Sequence, residues 1–195
     1  MPYSFLYFCY FPFIKEYKVI SLNETIGFNM YANLQDSKGL LEVGKIISLN
    51  KEGCICGGAA MTIYLGKEVR QVSPDLDVLL TPEAVNNKEF YNKKPNTLGF
   101  SMTFDNLEVD FLLANQSWQK AAIMAAKPWN KIPVIPIPFL IISKYAANRE
   151  KDRMDLKLLY QKYKSQFTVA CNLASLFHEG YIASLIRDDI IFPSF

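Results

Sequence analysis

The chain has 195 residues, of which 50% are apolar and 21% are charged, so it can build a real core and is not a disordered chain as a whole. This length suits one domain, or one compact domain with a small appendage. The formal net charge of +2 indicates no particular partner, and a single histidine, His178, excludes multi-histidine zinc sites and most schemes that pair histidine with a serine or cysteine nucleophile.

The N-terminal residues 1–14, MPYSFLYFCYFPFI, are apolar and aromatic. They are too few to span a membrane, which needs about 20 residues, and they lack the basic start and small-residue cleavage site of a secretory signal. We expect a strand or packing arm here, with a membrane or partner contact as the alternative. For the chain as a whole we expect the reducing cytoplasm and no membrane partner. Residues 1–34 together are predicted to form an N-terminal arm of undetermined structure.

The four cysteines, Cys9, Cys54, Cys56 and Cys171, lack the spacing of a zinc knuckle or a redox pair. We expect them to be buried apolar thiols. A metal or redox role is the alternative.

Residues 34–50 place apolar side chains near helical spacing, which predicts a helix that Asn50 and Gly53 end. CICGG (54–58) then predicts a short strand that runs into a glycine turn. AAMTIYLG (59–66) predicts a helix of about two turns, closed by its last glycine.

Further along, LDVLL (76–80) is apolar at nearly every position, which predicts a strand covered on both faces. The polar residues 83–96 predict a helical turn and a loop. LGFSMTF (98–104) and LEVDFLL (107–113) flank an Asp-Asn dipeptide, which predicts a β-hairpin.

Residues 128–138 contain four prolines, which predicts an edge strand or an extended connector. Residues 139–164 predict one long helix or two short ones, and residues 168–180 predict another helix with Gly180 as its C-cap.

The first two-thirds of the chain therefore mixes strands with short helices, and the last third is helical. This predicts an α+β fold, in which a mixed β-sheet is flanked by helices and followed by a C-terminal helical subdomain. We place the core at residues 35–137 and the helical subdomain at residues 138–195.

Gly57 and Gly58 lie between a predicted strand and the start of a helix. Glycines at this position let backbone N–H groups approach a phosphate closely, and the helix dipole favours the anion. A Gly-Gly pair alone is more often only a turn, so it needs support from other residues.

Asp75 and Asp77 are two residues apart, so on a strand they point to the same side. Neighbouring carboxylates repel unless a cation lies between them or water screens them. Their position at the start of an apolar strand suits Mg²⁺, which binds a few carboxylates together with substrate phosphates. A solvated surface pair is the alternative reading.

Asp110 shares one face of its predicted strand with Glu108, while Val109 and Phe111 face the other way. An inward-facing acid is costly without a cation. If the hairpin lies beside the strand of Asp77, Asp110 completes a three-carboxylate cluster that can hold two Mg²⁺ ions, and Glu108 is its rival.

Several polar residues of the predicted C-terminal helix fall at spacings of three and four, hence on one side: Lys144, Asn148, Lys151, Asp152 and Asp155. This side is either a solvated face with internal ion pairs or a basic wall along the cleft, serving a triphosphate or a nucleic-acid acceptor. Asp152 is also a candidate for a structural pair with Arg70 or Arg149.

The order Gly-Gly, short helix, Gly, Arg, then Ser-x-Asp-x-Asp, with a single Asp on a later strand, resembles the nucleotidyltransferase superfamily, which includes DNA polymerase beta and antibiotic-adenylylating enzymes. The segment KYAANREKDRMDL (144–156) is similar to a helix of the toxin nucleotidyltransferases of abortive-infection systems. The resemblance covers roughly residues 36–165 and implies a nucleotidyltransferase-type sheet.

The resemblance implies Mg²⁺-dependent transfer of a nucleoside monophosphate from a nucleoside triphosphate (NTP) to a hydroxyl, with release of pyrophosphate. Gly57 and Gly58 would form the phosphate-binding turn. Asp75 and Asp77 would bind both metal ions, and Asp110 would bind the catalytic one and help to activate the acceptor hydroxyl. The acceptor would be tRNA, another RNA, a protein or a small molecule.

The remaining implied roles fall on basic and hydroxyl residues. Arg70 and Ser73 would support the loop or contact phosphate, and Lys144 and Lys151 would contact the triphosphate.

Ala59 and Ala60 depart from the family, which often has a serine after the glycines. The alternative function is therefore a non-catalytic module that retains the fold and binds a nucleotide or a partner protein. A toxin acting on tRNA, with an antitoxin-like partner protein, is a special case of the enzyme.

Overall fold

The computed structural model describes residues 43–45, 47, 52–66, 68–70, 75–86, 94–95, 98–104 and 107–193. Residues 43–45 and 47 are helical, in agreement with the helix predicted there. The predictions for the N-terminal arm, Cys9, Asn50, Ser73 and the Asp-Asn turn of the hairpin lie outside the described residues.

The elements alternate between strands and short helices before three consecutive helices. They are β1 (Gly53–Ile55), α1 (Gly57–Leu65), β2 (Leu76–Leu80), a 3₁₀ helix (Pro82–Asn86), β3 (Lys94–Pro95), β4 (Gly99–Phe104), β5 (Leu107–Leu113), α2 (Ser117–Met124), β6 (Lys127–Trp129), β7 (Ile132–Val134), α3 (Ile137–Ala147), α4 (Glu150–Leu176) and α5 (Gly180–Ile191). The predicted α+β class is confirmed. Gly53 begins β1 and therefore does not end the preceding helix as predicted.

Seven strands form one mixed sheet in the order β3-β4-β5-β2-β1-β7-β6. β2 runs antiparallel to β1 and parallel to β5, and β4 and β5 form the predicted antiparallel hairpin. The parallel pairing of β2 with β5 connects the β4–β5 hairpin to the rest of the sheet. Its register sets Asp77 beside Asp110.

β2 lies at the centre of the sheet because its sequence is apolar on both faces. Leu76, Val78, Leu79 and Leu80 are all buried, as predicted, and Asp77 alone is half-buried. A strand with neighbours on both sides satisfies its backbone hydrogen bonds, so it can be buried in this way. Asp77, the one polar residue of β2, is therefore the only residue of this strand in a less apolar environment.

The proline-rich segment differs from its prediction. It forms the hairpin of β6 and β7, and β7 lies inside the sheet between β6 and β1, so only β6 is an edge strand. The prediction failed because two prolines stand opposite each other, Pro128 against Pro133, where neither strand offers an amide donor. β7 joins β1 through one paired position, Ile55 with Val134, so few amide donors are needed there.

Two helices cover residues 139–164, as in one of the two predicted alternatives, but the second of them is long and not short. α3 ends at Asn148, whose φ of 47° is left-handed, and α4 begins two residues later. α4 then continues to Leu176 through the region predicted as a separate helix, with a kink at Tyr163 (φ −131°, ψ 40°). Gly180 begins α5 and is not a C-cap; His178, with φ 63°, is the left-handed residue at this helix end.

The helices pack on the sheet through one continuous apolar cluster, which includes residues from both predicted domains. Hydrogen bonds around Tyr64 in α1 reinforce this packing. Its hydroxyl donates to the Ile135 carbonyl at 2.7 Å, and its own carbonyl accepts from the Tyr163 hydroxyl at 2.8 Å and from Lys162 Nζ at 3.0 Å. α1 is thereby fixed between the sheet and α4.

Among the described helices, none combines the length and the hydropathy that a transmembrane segment needs.

The close approach of β4 to β5 at Gly99 predicts the effect of adding one methyl group. A Cβ at this residue would overlap the backbone carbonyl oxygen of Phe111, so Gly99→Ala has to separate the strands. We expect a loss of about 2–3 kcal/mol in the free energy of unfolding, measured by urea denaturation. Gly180→Ala is the matched control, because a Cβ there meets no described atom within 4 Å. Equal stability of the two variants would contradict the observed pairing.

Candidate metal centre

Three carboxylates converge at the start of β2. Asp75, Asp77 and Asp110 each offer an oxygen atom, and these atoms lie within 4.8 Å of one another. Asp75 immediately precedes β2, Asp77 is its second residue, and Asp110 is the parallel partner of Asp77 in β5. The spatial condition that the sequence argument required, Asp110 beside Asp77, is therefore present in the structure.

Glu108 does not join this cluster, although it shares the strand face of Asp110. It is exposed and pairs with Thr103 on the side of the β4–β5 turn. Two residues of strand separate it from Asp110, a distance of roughly 7 Å. The two candidate acids of β5 are therefore separated by position along the strand.

The glycine pair lies against Asp77. The Gly58 amide donates to Asp77 Oδ2 at 3.2 Å, and the Cys56 amide donates to the Asp77 carbonyl at 2.9 Å. Gly57 has φ 52°, and a Cβ there would overlap the Asp77 carboxylate. Both glycines are the first residues of α1, so the predicted turn is the helix start itself. Only glycine allows this approach of the backbone to the carboxylate.

Ser101 is a site residue that our sequence analysis missed. It pairs with Asp110 across β4 and β5, and its hydroxyl donates to Asp110 Oδ1. The signal was present in the sequence, because a hairpin with a two-residue turn after residue 104 pairs residue 101 with residue 110. The bond fixes the orientation of the Asp110 carboxylate.

Burial raises the pKa of Asp77 above its ordinary value, and the neighbouring charges of Asp75 and Asp110 raise it further. The hydrogen bond from Gly58 and the charge of Lys144 act in the opposite direction without cancelling the rise. Ionisation of Asp77 is therefore opposed by its surroundings, and a bound cation would favour the ionised carboxylate.

A buried network of ion pairs lies behind the cluster, between α3 and α4. Lys144 Nζ is 2.8 Å from Asp152 Oδ1 and 2.7 Å from Asp155 Oδ2, and the Lys144 side chain is only 4% exposed. Burial alone would raise the pKa of Asp152, but hydrogen bonds from Arg149 and Lys144 hold it below its usual value. The contacts of Lys144 are thus structural, and they differ from the triphosphate contact expected for it.

The prediction that these residues lie on one side of a single helix is wrong. Lys144 belongs to α3, whereas Asp152 and Asp155 belong to α4, and the left-handed Asn148 ends α3 between them. Lys151 is exposed and does not share the buried side of Asp152. The motif therefore joins two helices through their ion pairs.

Arg70 connects this network to the glycine pair. Its guanidinium contacts Asp155 through Nε at 2.7 Å and Nη2 at 3.3 Å, and Nη1 donates to the Gly58 carbonyl at 3.3 Å. Arg70 thereby holds the start of α1, and the two roles expected for it, support of the loop or contact with phosphate, stay predictions. Of the two partners proposed for Asp152, Arg149 is observed, with Nε 2.6 Å from Asp152 Oδ2, and Arg70 pairs with Asp155 instead.

The described cysteines, Cys54, Cys56 and Cys171, are buried and free. Burial raises the pKa of the Cys54 and Cys56 thiols far above the ordinary value. They therefore match the expectation of buried apolar thiols. The aspartate cluster is the only group of metal-ligating side chains found in the described part of the chain.

Comparison with models of known protein families gives no match, and no curated protein sequence matches the chain. The function is therefore inferred from the geometry of the site.

The raised pKa of Asp77 predicts a stability effect with a definite sign. The folded state holds the Asp77 proton more strongly than the unfolded state, so ionised Asp77 destabilises the fold at neutral pH. Below its ordinary pKa of 3.8 both states are protonated and this penalty disappears. We expect Asp77→Asn to raise the Tm by about 2–4 °C at pH 7 without metal, and to raise it less as the pH approaches 4.

The measurement is thermal unfolding at several pH values, with and without Mg²⁺. Added Mg²⁺ should raise the Tm of the unsubstituted chain and leave that of Asp77→Asn nearly unchanged, because binding stabilises only the folded state that holds the ion. A destabilised Asp77→Asn at pH 7 would show that the carboxylate is not strained.

The buried network predicts unequal effects of two lysine substitutions. Lys144→Met leaves Asp152 and Asp155 without a shared cation, and we expect it to cost about 3–5 kcal/mol of unfolding free energy. Lys151→Met is the matched control; its side chain is exposed, and its effect should stay within about 0.5 kcal/mol. Urea denaturation measures both, and a mild effect of Lys144→Met would refute its structural role.

Proposed function

We propose that this chain is a Mg²⁺-dependent nucleotidyltransferase, which moves a nucleoside monophosphate from an NTP to a hydroxyl acceptor and releases pyrophosphate. The proposal includes a nucleotidyltransferase-type fold with a C-terminal helical subdomain. The observation that carries it is the convergence of Asp75, Asp77 and Asp110 beside the glycine start of α1.

The donor set fits Mg²⁺. The cluster offers only carboxylate oxygens, which hard cations prefer, whereas Zn²⁺ sites usually include cysteine or histidine. Asp75 and Asp77 would hold both ions, and Asp110 the catalytic one. When bound, the ions supply a lowered pKa for the attacking hydroxyl and neutralise the leaving pyrophosphate.

The protein's own residues would position the substrates and accept the proton of the acceptor hydroxyl. The acceptor oxygen forms a bond to the α-phosphorus, and the bond from that phosphorus to the bridging oxygen of the β-phosphate breaks. The acceptor proton passes to Asp110, whose carboxylate is oriented by Ser101, and from there to water. Orientation of this kind lets a carboxylate accept a proton without first rearranging.

The start of α1 would lie against the phosphates. The Gly58 amide already binds Asp77, so this segment contributes its close approach and the positive end of the helix dipole. Arg70 holds the Gly58 carbonyl and thereby keeps the segment in place. Arg70 would thus support phosphate binding indirectly, by holding the segment that lies against the phosphates.

The acceptor is RNA, a protein or a small molecule, and a toxin acting on tRNA is one form of this function. A non-catalytic module that binds a nucleotide or a partner protein is the alternative. The alternative is favoured by Ala59 and Ala60, which offer no hydroxyl after the glycines. The aspartate cluster supports a metal-dependent function, which the enzyme requires and a module that binds only a partner protein does not.

The direct test is incubation of the chain with Mg²⁺ and each α-labelled NTP, in the presence of RNA, protein and small-molecule acceptors. We expect label to be transferred with one NTP and one acceptor class. Asp77→Asn and Asp110→Asn should each lower the rate by about 10³-fold or more, since each removes several kcal/mol of metal-dependent stabilisation. Asp188→Asn, at an exposed position of α5, is the matched control and should leave the rate unchanged.

The outcomes separate the two functions. Calorimetric binding of an NTP without transfer to any acceptor would support the module. Neither binding nor transfer, or transfer that survives both aspartate substitutions, would refute a nucleotide site at this cluster.

A further inference from the structure

Arg149 combines an exposed side chain with a fixed position. It is the N-cap residue of α4, and its side chain is 58% exposed. Nε donates to Asp152 Oδ2 at 2.6 Å and Nη2 to Asp152 Oδ1 at 3.3 Å, so one edge of the guanidinium is bound in a bidentate manner. Exposed arginines are usually mobile, whereas this one is held by a carboxylate.

The carboxylate that holds Arg149 is itself immobile. The Asp152 side chain is fully buried, and it also accepts from Lys144 Nζ at 2.8 Å and from the Arg149 backbone amide at 3.3 Å. Asp155 also pairs with Lys144, so the network contains three cations, Lys144, Arg149 and Arg70, and two carboxylates, Asp152 and Asp155, which leaves one positive charge uncompensated. The guanidinium therefore projects a positive potential into solvent from a defined point.

A series of side-chain contacts connects Arg149 to the metal centre through Asp152. Asp152 and Asp155 share Lys144, Asp155 binds Arg70, and Arg70 binds the carbonyl of Gly58. The next contact, from the Gly58 amide, is to Asp77.

Hydrogen bonding to Asp152 is the main cause of the raised pKa of Arg149, and the charges of Asp77 and Asp155 add to the rise.

We infer that Arg149 binds the β- and γ-phosphates of the NTP whose metal ions are held by the three aspartates. The inference rests on the proposed function and deepens it by naming the residue that recognises the triphosphate. Nε and Nη2 are engaged by Asp152, whereas Nη1 has no hydrogen-bond partner within the described part of the chain. A guanidinium with its outer N–H donors open matches the planar arrangement of phosphate oxygens.

The two lysines expected from the sequence are less suited to this role. Lys144 is buried, and its ammonium is already engaged by two carboxylates. Lys151 is exposed without a described hydrogen bond that fixes it. Arg149 alone of the three is both accessible and oriented.

The test is calorimetric titration with inorganic tripolyphosphate in the presence of Mg²⁺, which needs no knowledge of the base or the acceptor. Arg149→Gln should weaken binding about 10- to 100-fold, the range for a lost charge-assisted hydrogen bond. Arg149→Lys keeps the charge and loses the paired donors, so its affinity should fall between the two. Arg153→Gln is the matched control; that side chain reaches only Asn148, at 3.5 Å, and should bind like the unsubstituted chain.

The Asp77→Asn variant distinguishes failure of the inference about Arg149 from failure of the proposed metal centre. If the unsubstituted chain binds Mg²⁺–tripolyphosphate, Asp77→Asn abolishes binding and Arg149→Gln does not weaken it, the inference about Arg149 is overturned while the metal centre stands. If the unsubstituted chain does not bind Mg²⁺–tripolyphosphate, the inference about Arg149 is overturned, and NTP binding and transfer decide the proposed function separately. Thermal unfolding of each variant checks the fold, and selective loss in Arg149→Gln at an unchanged Tm supports the inference.

Discussion

The parallel register of β2 and β5 is the constraint on which the site depends. It brings Asp77 and Asp110 side by side on one face of the sheet, where Asp75 joins them from the residue before β2. A shift of one residue would turn Asp110 to the opposite face and bring Val109 in its place. The apolar residues of both strands prevent such a shift, since Val109 and Phe111 would then leave the core. Burial of hydrophobic side chains thereby maintains a cluster of like charges that would otherwise separate.

A second feature of the site is that the paired charges of the buried network lie apart from the three aspartates. Lys144, Asp152, Asp155 and Arg70 satisfy one another behind the glycine segment, and this is the condition under which buried charges are tolerated. In front of that segment, Asp77 accepts from the Gly58 amide and Asp110 accepts from the Ser101 hydroxyl. The network stabilises the scaffold, and the cluster in front of it is the proposed Mg²⁺ site.

The sequence predicted much of the fold and the acidic cluster, for identifiable reasons. β2 was predictable because a short run that is apolar on both faces suits a central strand, and the β4–β5 hairpin because a two-residue turn fixes its register. The position of β7 inside the sheet was not predictable, because the opposition of Pro128 and Pro133 depends on pairing that local sequence does not encode. The same holds for Gly180, which reads equally as the end of one helix or the start of the next.

The basic residues of the site show a different limit. Their spacing suggested a single helix face with Lys144 and Lys151 toward the ligand, but one left-handed residue, Asn148, divides the segment into two helices. The fold then turns Lys144 inward and leaves Arg149 at the helix start, held by a buried carboxylate. Charge on a side chain is readable from sequence, whereas its exposure and orientation depend on packing between elements. Arg149 is held in place by its ion pair with Asp152, and this fixed position is what its proposed role in triphosphate binding requires.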